Sequence, residues 1–175
     1  MMEYLESNRL LLRKLSKEDF QAVYNYMNDE DTVKYFVDRP FTEEKIMNIV
    51  NPTKEQEHYA IVLKLEEKVI GHLDFHLWEM KDTYDIGWVI EKKYKNFGLA
   101  TEAAKLLMKY AFDIMHAHRI IATCHPNNKS SIRVCEKLKM RLEGKFVKCI
   151  YDKSLNNWQD ELFYAILEEE YYHEN

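Results

Sequence analysis

The amino-acid sequence predicts a mixed α/β (α+β) fold in which helices flank one central sheet. Strand-like and helix-like segments alternate in the middle of the chain, whereas strand-like segments follow one another directly towards both ends. This order is typical of a mixed sheet and not of a purely parallel, doubly wound one. With 175 residues the chain can bury one sizeable core, so we expect a single domain over residues 1–175.

The apolar pattern places strands and helices in order along the chain. Strands are predicted at residues 9–15, 58–65, 69–77, 84–90, 118–124, 142–150 and 161–167. Helices are predicted to begin near Ser16, Thr42, Gly98 and Ser131. Ser16 and Thr42 each precede acidic residues in the first predicted turn, which is typical of a helix N-terminus.

Composition and charge exclude several classes of function. The formal net charge is −5, so the overall field favours neither nucleic acid nor an anionic membrane as a partner. No apolar run approaches the ~20 residues that span a bilayer, and the N-terminal residues lack the apolar core of a signal peptide. The three cysteines, Cys124, Cys135 and Cys149, show no metal-binding spacing. They predict reduced thiols and a cytoplasmic location.

The stretch "YKNFGLATEA" (94–103) joins a predicted strand to a long predicted helix and contains one of only four glycines. The first helical turn has N–H groups without internal partners, and the macrodipole makes that end positive. Gly98 has no Cβ, so the backbone can approach an anion closely there. Ala100 has only a methyl group and restricts the approach little more. The stretch therefore predicts a phosphate site on main-chain donors. A plain turn that needs one glycine for its geometry is the alternative.

The longer stretch "YKNFGLATEAAKLLMKYAF" is similar to the coenzyme A pyrophosphate loop and following helix of GNAT-type N-acetyltransferases. "RIIATCHPNNKSSIRVCEKLKM" resembles the family's next strand, Asn-x-x-Ser motif and helix, and the likeness extends to "DELFYAIL" near the end. It is greatest to the branch that includes the ribosomal-protein N-terminal acetyltransferases. The resemblance implies a GNAT fold whose sheet is splayed in the middle. It also implies acetyl-coenzyme A (acetyl-CoA) as co-substrate and an amine as acceptor.

The same resemblance implies roles for individual residues. The pantetheine arm would pair with the backbone of Trp88, Val89 and Ile90, and Asn128 and Ser131 match the Asn-x-x-Ser positions near the pantetheine and the sulfur. The pyrophosphate would lie on the segment made of Lys95, Asn96, Phe97, Gly98, Leu99, Ala100 and Thr101. The implied mechanism is direct attack of an amine on the thioester, with no covalent enzyme intermediate and no metal.

Four places depart from the family's pattern, one of which is Lys139-Met140, where Gly-Phe is usual. Lys95 stands where Gln or Arg is usual, although Lys can still serve phosphates as a point charge. Asn96 stands where a second glycine is common. Cys135 occupies the position of a Tyr that protonates the leaving thiolate in many members. These changes affect the proton donor more than the coenzyme site.

Two side chains are candidates for catalysis. Asp85 begins the strand at 84–90, in a register that resembles that of a general-base carboxylate in some members. A solvated aspartate at a strand start is the simpler interpretation. Ser131 could cap the helix that follows it or could hydrogen-bond the thiolate sulfur, and the two roles are compatible.

The segment "HLDFH" places His72, Asp74 and His76 on one face of a predicted strand. Two imidazoles and a carboxylate could bind a metal, could form a polar wall of the acceptor cleft, or could simply be a half-exposed strand face. Alternate residues of a strand lie ~6.6 Å apart, so three in a row rarely converge on one ion. We therefore expect no metal.

An acetyl-CoA-dependent N-acetyltransferase is the function that the sequence favours. The alternative is a coenzyme A-binding regulatory or sensor module without turnover, since the usual Tyr is missing. Protein N-termini, polyamines, amino sugars and amino acids all stay open as acceptors, and the chain could act alone or as a homodimer.

Overall fold

The computed structural model describes residues 4–37, 39–51 and 57–174, and it confirms the mixed α/β class. The strands of the described part are β1 (Leu5–Glu6), β2 (Leu10–Lys14), β3 (Glu57–Leu63), β4 (Lys68–Leu77), β5 (Thr83–Ile90), β6 (Arg119–Cys124), β7 (Arg141–Asp152) and β8 (Asn157–Leu167). They form one sheet in the order β1-β2-β3-β4-β5-β6-β8-β7.

The helices of the described part are α1 (Phe20–Met27), α2 (Glu30–Val33), α3 (Glu43–Val50), α4 (Leu99–Asp113), α5 (Lys129–Lys137) and α6 (Glu168–Glu174). None of them is long and apolar enough to cross a membrane.

The predicted strands are all present, with ends that differ by a few residues, whereas β1, α2 and α6 were not predicted. The cap at Thr42 is confirmed, because its side chain accepts a hydrogen bond from the Lys45 N–H. Ser16 introduces a short 3-10 turn, and α1 begins only at Phe20. The prediction that Ser131 caps the next-to-last helix is wrong. Asn128 is the N-cap of α5, and its Oδ1 accepts from the Ser131 N–H at 3.2 Å.

The sheet is antiparallel throughout except between β5 and β6, which are parallel. Their register covers only three pairs and ends where Asp85 faces Ile121. β5 continues to Ile90 beyond that point, so the two strands diverge and the sheet is splayed there. The backbone of residues 86–90 forms an open edge on the side of β6.

The two faces of the sheet carry separate cores. Ile86 and Ile90 pack in the core that contains α4, and Trp88 packs against it. Val89 belongs to the core that contains Val23 of α1 and residues of α3, on what we call the α1 face. Because side chains alternate along a strand, Asp85 and Gly87 also lie on the α1 face. β5 thus separates two environments along its open edge.

Candidate active site

A cavity of about 520 Å³ lies beside the open edge of β5, between the loop that precedes α4 and helix α5. Most residues predicted for the coenzyme line it: Trp88, Ile90, Lys95, Asn96, Gly98, Leu99, Ala100, Thr101, Asn128 and Ser131. Val89 does not, since its side chain packs in the core of the α1 face. Phe97 does not either, and it exposes 65% of its surface. Val89 and Phe97 can therefore contact a ligand only through their backbone, and that contact stays a prediction.

The loop before α4 contains two residues in the left-handed region. Gly98 is the N-cap of α4 with φ +77°, and Asn96 has φ +68°. This conformation costs most L-residues about 1–2 kcal/mol, and Asn is among the best-tolerated exceptions. The backbone therefore explains both the glycine at 98 and the Asn at 96. A Cβ built on Gly98 would meet only the Arg9 guanidinium, at 3.9 Å, so backbone conformation and not crowding accounts for the glycine.

The N-terminus of α4 presents backbone donors to the cavity. The first intrahelical bond of the helix runs from the Glu102 N–H to the Gly98 carbonyl at 3.0 Å. The N–H groups of residues 99–101 precede that bond and are the donors that an anion can use. Arg9 fixes this end from outside, because its Nη1 donates to the Phe97 carbonyl at 3.2 Å and its Nε to the Glu102 carboxylate at 2.8 Å.

Cationic side chains line the cavity on two sides. Lys95 comes from the loop, where its Nζ donates to the Asp31 carbonyl at 2.9 Å, and burial lowers its pKa. Arg133 and Lys137 project from α5 on the other side. Among the described residues, Asp31 is the one carboxylate that lines the cavity against these three cations, so the wall is positive on balance although the chain as a whole is acidic. This charge favours a phosphorylated ligand.

The Asn-x-x-Ser motif meets β5 at the inner end of the cavity. The Asn128 carboxamide holds the first turn of α5, which places the Ser131 hydroxyl next to the strand. Its Oγ accepts a hydrogen bond from the Trp88 indole nitrogen at 3.3 Å. With this acceptor site engaged, the hydroxyl proton is free to point into the cavity.

Cys135, the other candidate proton donor, is fully buried and does not line the cavity. A hydrogen bond with Cys124, and then burial, raise the pKa of the Cys135 thiol. A thiol placed in this way packs as a small apolar residue.

Asp85 lies at the last residue pair before β5 and β6 diverge, on the α1 face and outside the 520 Å³ cavity. Its side chain is 18% exposed, and its Oδ2 lies 3.7 Å from His76 Nε2 on β4. Burial, and then the negative charges of Asp74 and Glu161, raise the pKa of Asp85 to about 7. A carboxyl group with this pKa can gain or lose a proton near neutral pH.

The raised pKa has a consequence for stability. An unfolded Asp titrates near ~3.9, so the folded state binds this proton more tightly and loses free energy of unfolding as the pH rises from ~4 towards 7. We expect Asp85→Asn to raise the melting temperature relative to the wild type at about pH 8, and by less at about pH 5. Differential scanning calorimetry at both pH values measures this. An Asn variant whose relative stability is the same at both values would contradict the assigned ionisation.

His72, Asp74 and His76 lie on one face of β4, as "HLDFH" predicts, and one residue that was not predicted joins them. His58 of β3 lies opposite Asp74 in the register, and its Nδ1 is 2.6 Å from Asp74 Oδ1. His72 Nε2 lies 3.4 Å from the same oxygen, while its Nδ1 is hydrogen-bonded to the Tyr26 hydroxyl at 2.8 Å. His76 points instead to Asp85. The potential ligand atoms of His58, His72 and Asp74 lie within 4.8 Å of one another, so the cluster crosses two strands.

Residues 9–141 match the family model of the acetyltransferase (GNAT) domain. The chain belongs to the GNAT acetyltransferase family. The mixed α/β sheet described above is thus a GNAT fold, as the resemblance implied.

Close relatives of this GNAT acetyltransferase support the assignment over its length. The uncharacterized N-acetyltransferase YnaD of Bacillus subtilis (strain 168) is 44% identical over 170 residues, which cover 96% of this chain and 99% of YnaD. The crystal structure of a GNAT-family acetyltransferase from Bacillus anthracis is 46% identical with a TM-score of 0.89. The match covers 95% of this chain and 99% of that one.

Two more distant GNAT structures have named substrates. A ribosomal-protein-S5-alanine acetyltransferase from Vibrio fischeri is 21% identical with a TM-score of 0.80, over 96% of this chain and 98% of that one. A spermidine N-acetyltransferase from Vibrio cholerae, in complex with CoA and spermine, is 18% identical with a TM-score of 0.81, over 95% and 99%. Both likenesses show the fold alone.

Proposed function

We propose that this GNAT acetyltransferase moves the acetyl group of acetyl-CoA to an amine by direct attack of the amine on the thioester. The observation that carries the proposal is the placement of two groups about the open edge of β5. Ser131 approaches the strand from the cavity, and Asp85 lies where the edge begins, on the α1 face. A base and a proton donor on different sides of the reacting bonds suit this reaction.

The residues of the cavity fit the coenzyme. The backbone donors at residues 99–101, the bare Gly98 and the cations Lys95, Arg133 and Lys137 suit a pyrophosphate. The open edge of β5 offers peptide groups to the amides of pantetheine, as a neighbouring strand would. The coenzyme supplies an acetyl thioester, which is the electrophile.

Asp85 is the proposed general base. An acceptor amine is mostly protonated at neutral pH and must lose a proton before or during attack. An α-amino group titrates near ~7.7–8.0, whereas a lysine-like amine titrates near ~10.4 and is almost entirely charged. The second kind of acceptor depends more on a base. A carboxylate with a pKa of about 7 is matched to that task at neutral pH.

Ser131 is the proposed donor to the leaving sulfur. A thiolate leaves readily, because a thiol such as free Cys titrates near ~8.5, so acid assistance lies at the low end of its usual range. We expect Ser131→Ala to lower turnover by roughly tenfold to a hundredfold. Steady-state thiol release at saturating acetyl-CoA measures the effect.

Cys135→Ala is the matched comparison on the same helix, and we expect it to leave turnover nearly unchanged because the thiol is buried away from the cavity. If the Cys135 variant loses activity while the Ser131 variant keeps it, the donor assignment is reversed.

The acceptor is proposed to be a primary amine, either a protein N-terminus or a small amine. The comparisons do not favour the ribosomal-protein branch specifically, since its one structure reported above is 21% identical. The acidic groups Asp74, Asp85 and Glu161 support a small amine. We further propose that the enzyme acts in the cytoplasm, since Cys124, Cys135 and Cys149 are free thiols.

Thiol release from acetyl-CoA in the presence of an amine panel, with mass detection of acetylated products, tests the proposal. Turnover with at least one amine is expected. A coenzyme A-binding sensor module would instead bind acetyl-CoA tightly by calorimetry and release no thiol beyond slow hydrolysis with any member of the panel.

A further inference from the structure

A second cavity, of about 260 Å³, lies on the α1 face of the sheet. Its roof is apolar and partly aromatic, formed by Met27, Phe36, Phe41 and Ile49. Its floor holds the side chains of His58, His72, Asp74 and His76. His76 pairs with Asp85 across the two strands, so this cavity begins beside the proposed base.

Asp74 holds one oxygen in place and presents the other. Its Oδ1 is fixed by His58 and faces His72, as described above. Its Oδ2 lies over Gly87, where a Cβ added to the glycine would be 3.2 Å away. The Asp74 side chain is 33% exposed, so a ligand can reach it. Although burial alone would raise the pKa of Asp74, His72 and His58 outweigh that effect and hold it well below the usual range.

The spacing of Asp74 and Asp85 follows from the sheet. Asp74 faces Gly87 in the register, and Asp85 is two residues earlier on the same face of β5. Such diagonal neighbours lie about 7–8 Å apart. Gly87 leaves the space between them without a side chain. Two carboxylates therefore flank one open strip of strand, one permanently charged and the other able to take up a proton.

We propose that Asp74 binds a second positive charge on the acceptor. This contact would select short diamines over monoamines. This inference rests on the proposed acetyl transfer and names its acceptor class. One nitrogen of the diamine lies near Asp85 and reacts, while the other stays an ammonium that donates to Asp74 Oδ2. The apolar roof suits the methylene chain that joins the two nitrogens.

The test compares straight-chain diamines with monoamines of equal chain length. For the wild type we expect kcat/KM to be about ten- to a hundredfold higher for the best diamine, as for a charge-assisted hydrogen bond. Asp74→Asn is expected to remove this preference by raising KM for diamines towards the monoamine value. Because the charge of Asp74 helps to raise the pKa of Asp85, the variant should also shift the pH dependence of turnover to lower pH, equally for both kinds of amine. Glu79→Gln, an exposed carboxylate on the same hairpin, is the control and should keep the preference.

Calorimetric titration of the diamines into the protein with coenzyme A present separates the two proposals, because it needs no turnover. If Asp74→Asn weakens diamine binding, the result supports the binding role of Asp74 even when no thiol is released. The absence of thiol release then counts against acetyl transfer only. Equal affinities and equal kcat/KM values for diamines and monoamines in the wild type would refute the binding role of Asp74.

A purely structural role for Asp74 predicts a different result. Asp74→Asn would then lower diamine and monoamine turnover by the same factor, and the proposal would fail. Gly87→Ala provides a second variant if Asp74→Asn does not fold, since its Cβ crowds Oδ2, and we expect it to reduce the diamine preference. A stoichiometric transition metal bound through His58, His72 and Asp74 in the purified protein would also overturn the proposal, because the metal would neutralise the carboxylate.

Discussion

Gly98→Glu is expected to abolish acetyl-CoA binding to the folded protein. The glycine occupies the left-handed region at φ +77°, where a residue with a Cβ is strained by about 1–2 kcal/mol. The new carboxylate would also stand at the N-terminus of α4, where the backbone donors and Lys95 face the cavity. A strained loop and a negative charge beside the proposed pyrophosphate would then oppose binding. Isothermal titration with acetyl-CoA measures the loss.

Two comparison variants separate the causes of that loss. Gly98→Ala introduces strain without charge, so we expect weaker binding but not its abolition. Gly144→Glu places the same side chain on β7, where a Cβ meets nothing within 4 Å, and should bind normally. Unchanged acetyl-CoA affinity in folded Gly98→Glu would refute the assignment of the phosphate site.

Asp85→Asn is expected to lower turnover by about 10²–10⁴-fold with little change in acetyl-CoA affinity. The wild-type rate should rise with pH through about 7, as Asp85 loses its proton and becomes able to accept one from the amine. Asn cannot ionise, so the variant should lack this step. The loss should be greater for a lysine-like acceptor than for an α-amine, because less of the former is neutral at pH 7.

A pH–rate profile of kcat for the wild type and for Asp85→Asn tests whether Asp85 is the general base. A titration near neutral pH that persists in Asp85→Asn would reassign the base. His76 would then be the group to replace next, since its Nε2 is 3.7 Å from the Asp85 carboxylate.

Much of the fold followed from local patterns in the sequence. The strands have apolar runs, and the helix that starts after Gly98 has apolar residues at helical spacing. The elements that the sequence analysis missed are short or atypical. α2 has only four residues and is held by the Asp29 carboxylate, and α6 begins with three acidic residues and lacks an apolar face that stands out.

The candidate site could be predicted only where its chemistry is local in sequence. The left-handed Gly98 and the Asn128–Ser131 motif lie in short segments, although the exact cap of α5 was misassigned because Ser and Asn are similar N-cap residues. The partnership of His58 with Asp74 depends on the register between β3 and β4, which no local pattern encodes. The raised pKa of Asp85 depends likewise on Glu161, a residue 76 positions away in the chain.

The divergence of β5 from β6 leaves the native sheet one strand short along residues 86–90. A coenzyme that pairs with this edge takes the place of the missing strand, so its binding free energy adds to the free energy of unfolding. At a hundredfold excess over its Kd a ligand contributes about 2.7 kcal/mol in this way, which is a large share of the margin by which most domains stay folded. We therefore expect the lifetime of this enzyme against heat and proteolysis to follow the supply of its own co-substrate.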